Sequence, residues 1–115
     1  MEFQYYDWEE FKRFLNSLPN KDATELTELI FKIQKVGFSF SAKQQWIKKL
    51  SQNLYEIRSR RANNIQRVVY FHVENHIFVI SHGFTKKTNK IPLHEINKAK
   101  RRKVIYLTRK DLHND

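Results

Sequence analysis

The chain has 115 residues, 40% of them hydrophobic, with two glycines, two prolines and no cysteine. That describes a single domain, residues 1–115, with room for a small core; it excludes disorder, a disulfide framework and a thiolate metal site. A formal net charge of +10 at pH 7 points to a nucleic acid or an acidic protein as partner.

Phe3-Gln4-Tyr5-Tyr6 reads as a short edge strand. Asp7 then caps a helix, and Glu10 three residues on completes a capping-box pattern. Trp8, Phe11, Leu15 and Leu18 fall on one helical stripe, which Pro19-Asn20 ends. A second helix is expected over residues 22–36, with Leu26, Leu29, Ile30 and Ile33 on its core face and Gly37 at its C-terminal cap. Residues 38–53 are less regular, and Trp46, Ile47 and Leu50 suit a short helix or a packed loop. Three strands follow, over residues 54–60, 65–73 and 76–84, rich in Val, Ile, Tyr and Phe and joined by short linkers that imply antiparallel hairpins. From Pro92 the helical spacing returns through Leu93, Ile96, Ala99, Val104 and Leu107. The expected fold is α+β in the order β-α-α-β-β-β-α, with the two N-terminal helices on one face of an antiparallel sheet.

Charge is unevenly spread. Residues 84–110 carry ten Lys and Arg against one acid, Glu95, whereas residues 1–30 hold seven acids and three bases. The basic pole has the make-up of a phosphate-facing surface. No apolar run is long enough to cross a bilayer, and the first residues lack a signal-peptide pattern. A cytoplasmic protein with no membrane partner is therefore expected. The five histidines do not combine with an acidic cluster, so neither a metal nor another cofactor is expected. Glycine-rich phosphate loops and GxSxG serine elbows are missing too.

Hairpin counting places the basic residues. If Glu74-Asn75 is a two-residue turn, Val73 faces His76 and Arg67 faces His82; if residues 61–64 form the other loop, Arg58 faces Arg67 and Arg60 faces Ile65. Arg58, Arg67 and His82 then form one row across three strands, with Arg60, Ile65 and Phe84 in the next. A row of cations is reasonable where an anion sits on it. The residues alone leave a second reading open, in which Arg58 and Arg67 pair with Glu56 or Glu74 as sheet-surface ion pairs.

Three spaced motifs carry a family resemblance: Leu54-Tyr55-Glu56-Ile57-Arg58, Gln66-Arg67-Val68-Val69-Tyr70, and the run from His82-Gly83-Phe84 through Lys86-Lys87 to Ile91-Pro92. With Glu95-Ile96 and the basic run after it, they resemble the HigB-like, phage-derived branch of the RelE/ParE toxin superfamily. The resemblance implies the toxin of a type II toxin–antitoxin system, a metal-independent endoribonuclease that cleaves mRNA on the ribosome. Its implied partners are the ribosome with its mRNA and a cognate HigA-like helix-turn-helix antitoxin. Carried onto this sequence, it implies Arg58, Arg67, His82, Lys86 and Lys87 as catalytic residues. His82 is then the acid or base and the arginines are the phosphate forks. Arg60, Phe84, Lys90, Lys98, Arg101, Arg102 and Lys103 are the expected RNA contacts. Two departures stand out: Ile91 precedes the proline where relatives often carry a polar residue, and no tyrosine closely follows the last strand. Gyrase as the target, as for ParE-like relatives, and a non-catalytic nucleic-acid-binding module remain as alternatives.

Overall fold

The computed structural model describes residues 1–86 and 90–113, with the backbone alone for 111–113. Its elements are β1 (Glu2–Tyr5), α1 (Trp8–Ser17), α2 (Asn20–Lys43), β2 (Ile47–Ser51), β3 (Leu54–Arg61), β4 (Asn64–Glu74), β5 (Ile77–Lys86) and α3 (Leu93–His113). The class is α+β, as expected. The expected order lacks one strand, because β2 forms where a short helix or packed loop was read. The strand is five residues long, carries Lys48 and Lys49, and lies at the sheet edge, so it has little apolar alternation to betray it.

The sheet order is β1-β5-β4-β3-β2, with β1 parallel to β5 and every other pairing antiparallel. Strand alternation gives the sheet two faces. Ile57, Val68, Tyr70 and Ile80 point to α1 and α2 and join Phe11, Leu26, Ile30 and Ile33 in the larger core. Leu54, Val69, Phe71 and Val79 point the other way and pack on Ala99 of α3, with Ile96 and Tyr106 at the margin. The basic C-terminal helix thus covers the face opposite the N-terminal pair.

Local chemistry explains the helix ends. Asp7 caps α1 by accepting from the Glu10 N–H at 3.0 Å. The Glu10 carboxylate does not close the capping box as its spacing suggested. It reaches instead to α3, taking hydrogen bonds from Lys98 Nζ at 3.0 Å and Arg102 Nη2 at 2.5 Å. At Gly37, φ is +86° and ψ is 177°, a conformation open essentially to glycine alone. The helix breaks there, where the sequence places its cap, and a further helical turn follows before β2.

The β3–β4 pairing matches the hairpin count: Arg58 lies opposite Arg67 and Arg60 opposite Ile65. The β4–β5 pairing does not. The turn is Asn75-His76, one residue later than the count assumed, and register shifts occur between Val69 and Tyr70 and between His72 and Glu74. Arg67 therefore lies opposite Phe84, and His82 opposite Val69. The net slip is two residues, which preserves the face, so His82 becomes the diagonal neighbour of Arg67 rather than its partner.

Candidate nucleic-acid interface

The far end of the sheet, where β3 finishes and β4 begins, is its open end. β2 accompanies β3 only as far as Ile57, after which the Arg58 N–H donates to the Trp46 carbonyl at 2.9 Å and, among the described residues, no strand continues along that edge. Two rows cross this end on the α3 side: Arg58, Arg67 and Phe84, then Arg60, Ile65 and Lys86. Phe84 thus takes the place expected for His82, and Lys86 the place expected for Phe84. A cleft of about 300 Å³ opens beside these rows, lined by Gln44, Gln45, Arg58, Arg60 and Ile65.

Within this end the arginines differ sharply in environment. Arg60 is exposed and Arg58 is half-buried. Arg67 is fully buried, 0% exposed, and its Nη1 donates to Glu56 Oε2 at 2.7 Å. The other oxygen of that buried carboxylate lies 3.6 Å from Arg58 Nε. The pairing with Glu56 that the sequence left open is therefore formed, and for Arg67 it lies in the interior rather than on the surface. Arg67 has no exposed surface to offer a phosphate.

His82 is buried as well, 3% exposed. Its Nδ1 is 2.8 Å from Ser81 Oγ and its Nε2 is 3.2 Å from Glu95 Oε1. A neutral ring satisfies both contacts, accepting from the serine hydroxyl and donating Nε2–H to the carboxylate. Burial, then the charges of Lys98 and Arg102, push its pKa down to about 3. His82 ties β5 to α3 as a neutral ring and does not present a nitrogen to solvent. This removes the titration near neutral pH that the sequence suggested for it. Phe84, half-buried, stacks on the His82 ring with centroids 6.0 Å apart.

A family model described as phage-derived protein Gp49-like (DUF891) matches residues 13–104. The chain belongs to the Gp49-like family. It is a family of toxin–antitoxin toxins related to RelE and HigB. The match runs from the middle of α1 to the middle of α3 and includes the whole open end. No curated protein matches the chain.

The basic residues of this Gp49-like chain divide into two groups. Lys98 and Arg102 are committed to Glu10, and Arg102 also donates to the Ser81 carbonyl at 2.6 Å and lies over the Tyr6 ring. Burial opposes the Glu10 charge, but the hydrogen bonds and charges of Arg102 and Lys98 outweigh it and hold the carboxyl below its ordinary pKa. Lys103 donates to the Gln52 carbonyl at 3.2 Å. These three expected RNA contacts fasten α3 to the sheet and α1. Arg60, Lys90 and Arg101 are exposed, and Lys86 is half-buried. Lys87 lies outside the described residues. Among the described residues no three His, Asp or Glu side chains gather where a metal could bind, and no helix is long and apolar enough to cross a membrane.

Sequence reasoning missed Gln44 and Gln45, and it offered Glu56 only as a sheet-surface partner of the arginines rather than as a buried one. Glu56 had a visible signal: it stands two residues before Arg58 on the same strand face. The glutamines had none, since they reach the cleft through a turn in which Gln45 adopts φ +62°.

Proposed function

We propose that this protein is the toxin of a type II toxin–antitoxin pair and cleaves mRNA on the ribosome, with a HigA-like helix-turn-helix antitoxin as its partner. The observation that supports this most is the cleft shared by Arg58 and Arg60 at the open end of the sheet, with Lys86 in the same row as Arg60. Metal-independent cleavage proceeds by attack of the ribose 2′-oxygen on the neighbouring phosphorus, leaving a 2′,3′-cyclic phosphate and a 5′-hydroxyl. Charge builds on the phosphate oxygens as this happens, and fixed guanidinium forks stabilise it best. Arg58 and Arg60 take that role here, while Phe84 offers a ring face to a base. Proton transfer falls to Lys86 and Lys87, since His82 is sequestered. The α3 surface around Arg101 and the residues near Lys90 contact RNA backbone.

Induction followed by primer extension on translated mRNA tests this reading. The expected result is cuts inside reading frames and arrested translation. The burial of His82 favours a second reading, in which the basic end binds nucleic acid without cutting it. Intact mRNA together with a salt-dependent gel shift would establish that reading instead. DNA breaks and filamentation would establish gyrase as the target.

A further inference from the structure

We infer that Glu56 is the positioning residue for the Arg58 guanidinium, held in place from the interior by Arg67; this rests on the reading of Arg58 as a phosphate contact. One carboxylate faces two arginines. Oε2 is fixed by Arg67 Nη1 at 2.7 Å, and both of those side chains are at least 98% buried. Oε1 then has its place set, 3.6 Å from Arg58 Nε. That contact is ionic rather than a hydrogen bond. It engages the inner nitrogen of Arg58, whose side chain lines the cleft.

Two physical arguments support a role beyond stability. Arg58 and Arg67 are direct cross-strand neighbours, and like charges so placed repel. The carboxylate between them offsets that repulsion and gives the Arg58 guanidinium its anchor. A buried ion pair is also a poor device for stability alone, because well-packed apolar residues of similar volume do as well or better. The Glu56–Arg67 pair makes sense as a rigid base for a cation that works at the surface.

The test must separate aim from fold. Removing Glu56 alone takes the carboxylate away from a buried arginine and risks unfolding. The informative variant is the double replacement Glu56→Leu with Arg67→Met, which removes both buried charges and is expected to melt near the wild-type temperature. Two readouts are taken. The Arg58 Nε–Hε order parameter, measured by NMR relaxation, is expected to fall from about 0.8 to below about 0.6. Single-turnover cleavage of ribosome-bound mRNA is expected to slow by roughly 10- to 100-fold with KM little changed. Glu56→Asp, which keeps the charge, is expected to recover part of the rate.

An unchanged order parameter in the folded double variant overturns the inference. So does lost order with a wild-type rate, because the aim of Arg58 would then not matter. Failure of the wild-type protein to cut mRNA counts against the proposed function alone. The Arg58 order parameter still decides the positioning in that case.

Discussion

Replacing Glu10 with Ala tests how α3 is fastened. Glu10 stands in the first turn of α1, yet its two carboxylate oxygens serve Lys98 and Arg102 of α3 on the far side of the sheet margin. An exposed ion pair is worth about 0–1 kcal/mol, and a hydrogen bond to a charged group about 1.5–3 kcal/mol. The Arg102 side chain is 17% exposed and Glu10 is 28% exposed, so their pair falls between these classes, at about 1–2 kcal/mol. Lys98 is 34% exposed and adds about 0.5 kcal/mol. Arg102 keeps its bond to the Ser81 carbonyl, which limits the loss. For a domain of this size the loss lowers the melting temperature by about 5–10 °C. Calorimetry at pH 7 measures it, and a double-mutant cycle with Arg102→Met isolates the coupling. The effect is expected to shrink as pH falls through the depressed Glu10 pKa, because the carboxylate contributes only while charged. A Glu10→Ala melting point equal to the wild-type value, with zero coupling to Arg102, would refute this account of α3 docking.

The remaining predictions concern burial and backbone. His82 is neutral in the fold with its pKa near 3, whereas the unfolded chain protonates it below about 6.5, so its contribution is intact above that pH and drains away toward pH 3. Urea titrations between pH 6.5 and 5 should show stability falling by up to about 1.4 kcal/mol per pH unit, a slope that His82→Gln removes. Gly37→Ala is expected to cost about 1–3 kcal/mol through φ alone, since no atom lies within 4 Å of the added Cβ. Gly83→Ala, by contrast, drives a methyl into the Phe14 ring, and chemical denaturation should register a loss of about 1–3 kcal/mol with α1 loosened from β5.

The legible parts of this fold were those written in short-range pattern. The stripe ending at Leu18, the Asp7 cap, the helix broken at Gly37 and the β3–β4 hairpin all followed from spacing and turn chemistry. β2 was hidden because an edge strand bearing Lys48 and Lys49 needs no apolar alternation. The β4–β5 register was hidden because irregularities near Tyr70 and Val73 leave no mark in composition. The site was half legible for the same reason. Strand period two put Arg58, Arg67 and His82 on one face correctly. Depth is a tertiary property, and only the packing of α3 and the reach of Glu56 and Glu95 place two of the three in the interior.

The central claim is that the Arg58–Arg60 cleft is where RNA is cut, and single-turnover cleavage of ribosome-bound mRNA by Arg58→Ala tests it most directly. Arg58 is half-buried at the rim and its removal leaves the Glu56–Arg67 pair intact, so the variant is expected to melt as the wild type does. The account predicts a rate roughly 10²- to 10³-fold lower, the cost of losing one preorganised donor to the transition state, with ribosome pelleting unchanged. Cleavage by a folded Arg58→Ala protein at the wild-type rate would contradict it.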